Sequence, residues 1–359
     1  MNKILSGDLE YMFENLTSEN DRLKEAEILI TGCAGFLGYY FLEYFTRYAE
    51  EIGIKRITAV DTFILGRPEW INQLEEKYAD ILKVSQFDIS SGKLSDVVSI
   101  SNLNFVIHAA SIASPTFYRK FPLVTIDANI WGLRNILDSA KESQDLKGIL
   151  FFSSSEIYGD PEVDKIPTSE EYRGNVSCVG PRACYDESKR FGETLCYVYS
   201  QQYKIPITIA RPFNNFGPGM NINDKRLPAD LANCVINNID IVLFSDGKPT
   251  RTFCYISDAV IGYIKCLVYG KFDYFNIGMD NPEISVQDVC KIYQFHGHDL
   301  FGYNGKVVNQ LSDDINYLSD NPNRRCPDIS KARKLLNYAP KIHVETGVRR
   351  YLEFLRYNL

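Results

Sequence analysis

Two observations predict an α/β fold built on a doubly wound parallel sheet. Short runs of β-branched and aromatic residues alternate with segments of helical length, and a glycine-spaced turn directly follows the first run. The apolar runs are residues 28–30, 57–60, 81–84, 105–107 and 149–152. Runs this short, without polar alternation, suit strands buried on both faces. Between them lie helical segments such as 36–52 and 122–143, and a further helix and strand follow at 186–203 and 207–210.

Ahead of residue 27 the chain is charged and polar, with Tyr11, Met12, Phe13 and Leu16 among its apolar residues. Residues 1–26 read as a short helical extension that lacks the apolar core of a signal peptide. Residues 27–211 form the first domain. After Arg211 the texture changes, because Pro212, Gly217, Pro218, Gly219, Pro228, Gly247 and Pro249 cut the chain into shorter elements. Helices are expected near 229–237, 258–269, 285–295, 329–336 and 345–356. Residues 212–359 therefore read as a smaller, mixed α/β lobe, from which some segments can return to the first.

The 359 residues carry 39 Lys+Arg against 46 Asp+Glu, a formal charge of −7. No bulk basic field for nucleic acid exists, so an anionic ligand must be held by a few local arginines. Nine dispersed cysteines without a C-x-x-C pair read as reduced thiols of a cytoplasmic protein. No apolar run approaches the roughly 18–20 residues of a membrane span. His296 and His298 lack an acidic partner at ligand spacing, so they read as a surface loop and no metal site is expected.

The first chemical signal is Thr31-Gly32-Cys33-Ala34-Gly35-Phe36-Leu37-Gly38. Glycines at 32, 35 and 38 let the backbone turn tightly and approach a pyrophosphate, which then sits on the N-terminus of the next helix with Phe36 and Leu37. Three spaced glycines alone are weak evidence. Their place between the first strand and first helix is the context of a Rossmann-type dinucleotide site. Asp61 ends the second strand, where a carboxylate can accept from both ribose hydroxyls and repel a 2′-phosphate, so NAD is expected over NADP. Asp88 and Ile89 can border the adenine, and Ala109 and Ala110 offer small side chains beside the dinucleotide. His108, at a strand end, reads as a structural hydrogen-bonder.

The second signal is Tyr185-Asp186-Glu187-Ser188-Lys189. Residues four apart share a helix face, so the Lys189 ammonium can approach the Tyr185 phenol and lower its pKa toward that of a base. With 23 tyrosines in the chain, one such spacing is expected by chance. What adds weight is Ser153-Ser154-Ser155-Glu156 at the end of the fifth strand, where a hydroxyl can share the same substrate oxygen. Ser, Tyr and Lys in that order, behind a dinucleotide fingerprint, make a coherent hydride-transfer site.

In these motifs the chain resembles the extended short-chain dehydrogenase/reductases, the NAD-dependent epimerase/dehydratase family, and within it the UDP-glucuronate decarboxylase (UDP-xylose synthase) branch. The likeness runs in blocks at 30–38, 108–118, 153–162, 180–193, 210–220, 250–258 and 322–331. The most specific are Ser155–Glu162 and Gly180–Glu187. It implies Ser154, Tyr185 and Lys189 at the nicotinamide, with Asn129 beneath them, and Ser155 and Glu156 as the pair that steers the oxidised sugar. It further implies Arg251 near a sugar carboxylate, Tyr118 near the sugar, Asn214 beside sugar and diphosphate, and Arg226 and Arg325 on the nucleotide. The implied reaction converts UDP-glucuronate, or a related nucleotide uronic acid, to UDP-xylose through a 4-ketone. A 4,6-dehydratase and a 4-epimerase are the alternatives within the family, and a non-catalytic NAD- or nucleotide-sugar-binding regulator is the alternative outside it. The likeness also implies a homodimer, in which helices 122–143 and 186–203 pair across a two-fold axis. Two departures stand near the cleft. The family's Gly-Pro-Arg-Met is Gly217-Pro218-Gly219-Met220 here, and an expected Asn is replaced around Ser177–Cys178.

Overall fold

A computed structural model describes residues 2–310 and 322–358; residues 311–321, within the stretch assigned to the smaller lobe, lie outside the described part. Six strands, β1 (Glu27–Thr31), β2 (Arg56–Asp61), β3 (Leu82–Gln86), β4 (Phe105–His108), β5 (Gly148–Phe152) and β6 (Ile207–Pro212), form most of a seven-stranded sheet. Its order is β3-β2-β1-β4-β5-β6, with the strand Asp273–Ile277 added beyond β6, and every pairing is parallel. This is the Rossmann-like doubly wound fold. The order in which strands are added reverses between β1 and β4, and ligands of such sheets bind outside the strand ends at that point.

Alternate strand residues supply two cores, as the two-residue period of a strand requires. Ile28, Ile30, Phe105, Ile107, Leu150 and Phe152 pack into one face. Leu29, Val106, Ile149, Phe151, Ile207 and Ile209 pack into the other. The smaller lobe shares the larger of these cores. Its helix Ile256–Leu267 is buried along its whole length, and its strand Asp273–Ile277 completes the sheet. A boundary drawn at residue 211 along the chain is therefore crossed in space by the return of residues 256–277.

The N-terminal helices Lys3–Glu14 and Thr17–Arg22 belong to the same core through Leu5, Leu9, Met12 and Leu16. Tyr11 donates to Asp258 at 2.7 Å, and Lys265 pairs with Glu19 at 2.8 Å. His296 and His298 lie within the helix Val286–Phe301 and not in a loop. Gly297 between them serves helix packing. A Cβ at that position would meet Val235 Cγ1 at 2.8 Å.

Candidate active site

The glycine turn is built for close backbone approach. Gly32 has φ +73°, and a Cβ there would meet the Ala109 and Ala110 backbone at 2.6 Å. A Cβ at Gly38 would strike the Cys33 carbonyl at 2.3 Å, so the first helix can sit directly on the turn. Phe36 and Leu37 open that helix, which runs Phe36–Arg47. Asp61 closes β2 against the same turn and accepts from the Ala34 amide at 3.0 Å and the Phe63 amide at 2.8 Å. Burial raises its pKa and the two amides work against that rise, while further lone pairs stay open to ribose hydroxyls. These residues fit a dinucleotide. Asp88 is exposed and caps its own turn through Ser90, whereas Ile89 is buried against Gly132. His108 bonds Thr31 at 2.8 Å, and burial, with Lys189 adding to it, holds its pKa near 3.

Ser153, Ser154 and Ser155 follow β5 into the cleft, and all three are buried. Ser154 caps the short turn Ser155–Tyr158, accepting from the Glu156 amide at 3.2 Å. Tyr185 and Lys189 project from the helix Ala183–Tyr203 toward the same place. Here the structure differs from expectation. Lys189 Nζ donates to the Phe152 carbonyl at 2.8 Å and lies 5.7 Å from the centre of the Tyr185 ring. Desolvation dominates both groups. Burial pushes the Tyr185 phenol up to about 12 although Ser154 hydrogen bonds oppose it, and burial brings the Lys189 amine down to about 7. Asn129 is buried beneath, in a stretch of π-helix, Asp127–Gly132, and donates to Ser188 at 2.8 Å. Its Oδ1 is buried and has no partner among the described residues.

Two residues that the motif reading left without a role complete the acidic side. Arg182 donates to Glu156, and its Nε lies 3.4 Å from Asp186. Arg325, expected on the nucleotide, grips Glu156 with two bonds of 2.5 and 2.6 Å. Burial alone would raise the Glu156 pKa, but Arg325 and then Arg182 hold the carboxyl well below its ordinary range. Arg251 is the register partner of Arg325 in a parallel pair of two-residue strands, so both guanidiniums reach the same region. It donates to the carbonyls of Thr250, Asn323 and Pro322, and burial, with Arg325 adding to it, lowers its pKa to about 10. The Arg182–Asp186 spacing of four on a helix was the available signal; the contact with Glu156, 26 residues away, had none.

Tyr118 stacks on Tyr185 with ring centres 5.1 Å apart and planes 11° from parallel, and its hydroxyl is buried without a partner. Asn214, at φ +43°, donates to the Thr252 carbonyl at 2.8 Å. Arg226 pairs with Asp224 and lies over the Phe36 ring at 5.7 Å, linking the smaller lobe to the glycine turn. The departure at Gly219 has a steric cause. Its φ is +82°, and a Cβ would meet the Tyr39 ring at 2.3 Å, so an arginine cannot stand there beside this tyrosine.

The model of the NAD dependent epimerase/dehydratase family matches residues 28–278. The chain belongs to that family. It is an NAD-dependent enzyme, and the glycine turn and Asp61 described above are the residues that fit the cofactor. UDP-glucuronic acid decarboxylase 1 of Xenopus tropicalis is 34% identical over 346 residues, covering 95% of this chain and 74% of that protein. UDP-glucuronic acid decarboxylase 6 of Arabidopsis thaliana is 32% identical over 336 residues, covering 92% and 89%. Among solved structures, a UDP-glucose 4-epimerase of Thermotoga maritima shares the fold with TM-score 0.78 and 22% identity, covering 92% of this chain and 99% of that one. A UDP-glucuronic acid 4-epimerase of Bacillus cereus, solved with UDP-glucuronic acid and NAD, does so with TM-score 0.73 and 23% identity, over 93% and 100%. Among the described residues no helix is long and apolar enough to cross a membrane.

Proposed function

We propose that this enzyme decarboxylates UDP-glucuronate, or a related nucleotide uronic acid, through a 4-keto intermediate to UDP-xylose. The observation that carries the reading is the group of guanidiniums of Arg182, Arg251 and Arg325 around Glu156, next to Ser154 and Tyr185. Guanidinium forks match carboxylates and phosphates, so an acidic sugar nucleotide finds its donors there. The decarboxylases among the relatives support the same substrate.

When bound, NAD supplies the acceptor for the C4 hydride and returns that hydride at the end of the cycle. Tyr185, in its ionised form, takes the proton of the C4 hydroxyl, with Ser154 on the same oxygen. The new ketone makes the C6 carboxylate a β-keto acid, which loses CO2 through an enolate. Arg251 orients the departing carboxylate, with Arg325 beside it. Glu156, held ionised, positions the water that protonates C5. Ser155 is too weak an acid to expel a C6 hydroxyl, which a dehydratase requires.

Mass spectrometry of products from a panel of acidic and neutral nucleotide sugars tests this. The expected product is lighter than UDP-glucuronate by one CO2. A product lighter by one water would make the enzyme a dehydratase, and an isobaric one an epimerase. Ligand-induced stabilisation without any turnover would make it a regulator.

We also propose a homodimer. Leu123 and Trp131 are exposed on one helical segment, and Phe191 and Val198, two turns apart, on the helix Ala183–Tyr203. Apolar side chains collected on two neighbouring helices suit an isologous interface. Light scattering should give a dimer for the wild type and a monomer for Trp131→Glu combined with Phe191→Glu. A monomeric wild type at micromolar concentration would remove the proposal. The free state of all nine cysteines suits a reducing compartment, and we assign the reaction to the cytoplasm on that ground.

A further inference from the structure

Arg182 has no step in the mechanism above, yet it sits between two carboxylates, the partly buried Glu156 and the buried Asp186. We propose that Arg182 is a positioning residue, which ties Glu156 to the helix of Tyr185 and keeps its carboxylate an oriented anion. The inference rests on the decarboxylase reading for what Glu156 does next, and not for the clamp itself.

Glu156 leaves β5 on the turn Ser155–Tyr158, and Arg182 immediately precedes the helix Ala183–Tyr203. One Arg182 nitrogen donates to Glu156 Oε2, while its Nε faces Asp186 Oδ2 at 3.4 Å. The remaining neighbours of Glu156 are Arg325 and Arg251 from the paired short strands, Asp186 and Tyr185 from the helix, and Tyr118 stacked on Tyr185. Asp186 is buried with Oδ1 unpartnered, and burial and the nearby Glu156 both favour its protonated form. The charge of Arg182 is therefore directed chiefly at Glu156. An anionic substrate drawn to Arg325 would compete with Glu156 for its fork, whereas the bond from Arg182 would remain. Arg182 directly precedes the helix of Tyr185, so its hold on Glu156 keeps the acidic group in register with the base.

Removing an opposite charge at contact distance raises a carboxyl pKa by about 1–3 units. In Arg182→Gln the acidic midpoint of the rate profile for CO2 release should move up by that amount. Arg182→Lys, which keeps the charge and loses the fork, should move it less, and serves equally should the Gln variant fail to fold. Infrared titration of the ligand-free protein, with Glu156→Gln to assign the carboxyl band, should report the same rise. A wild type that releases no CO2 from UDP-glucuronate would defeat the decarboxylase reading, while the titration still decides the clamp. A Glu156 band that titrates identically in wild type and both variants overturns the inference, even if their rates are lower.

Discussion

Replacing Tyr185 by Phe is expected to abolish turnover on every nucleotide sugar while leaving the fold and the binding of NAD intact. The substitution removes one oxygen from a buried ring and preserves the stack on Tyr118 at 5.1 Å. Tyr185 is 6% exposed and its phenol is hydrogen-bonded to Ser154, which in the proposed mechanism shares the substrate oxygen with it. A positioned general base contributes ~10²–10⁴-fold, and here it acts on the first step, before the reaction divides among decarboxylation, dehydration and epimerisation. Mixing Tyr185→Phe with NAD and UDP-glucuronate should therefore give no reduced-nicotinamide absorbance and no product. Glu156→Gln should behave differently, because oxidation precedes its role, and reduced cofactor or a keto sugar should accumulate. Retention of more than about a tenth of wild-type rate by Tyr185→Phe would exclude this phenol as the base.

The strands were legible because their signal is local. Each of the first five apolar runs overlaps a strand, since buried parallel strands need continuous Ile, Val and Phe. The glycine turn and Tyr185–Lys189 were legible for a similar reason, as a few neighbouring residues define each. What escaped is long-range or electrostatic. Arg325 and Glu156 stand 169 residues apart, and only folding shows that one neutralises the other. The relation between Tyr185 and Lys189 has the spacing a helix imposes, but spacing carries no information about desolvation, which governs both groups. The N-terminal segment looked like an appendage because its apolar residues are interleaved with charged and polar ones. Its anchor is a charged residue whose partners come from three distant parts of the chain.

That residue is Asp8, and Asp8→Ala is expected to be among the most destabilising single changes outside the active site. Its side chain is fully buried and accepts from Tyr40 at 2.8 Å, Tyr255 at 2.6 Å and Arg350 at 2.9 Å. Tyr40 lies on the helix after the glycine turn, Tyr255 in the smaller lobe and Arg350 on the last helix, so one carboxylate joins four segments. Arg350 is 36% exposed and can turn to water, so its loss costs little. The two phenols are buried completely, and each left without an acceptor costs about 1–3 kcal/mol. Denaturant unfolding should accordingly show a loss on the order of 2–5 kcal/mol. The same site gives a pH signature. Burial, opposed by Tyr255 and Tyr40, raises the Asp8 pKa from 3.8 to about 6, so the folded chain binds this proton more tightly than the unfolded one. For this group, stability is greatest at low pH, falls as pH rises between those two values, and is flat above them. Asp8→Asn, which cannot titrate, should remove that slope. An Asp8→Ala protein that unfolds at the wild-type midpoint would show that the N-terminal helices only rest on the fold. The buried carboxylate and its three donors lead to the opposite expectation, that residues 2–22 are cooperative with the sheet they cover.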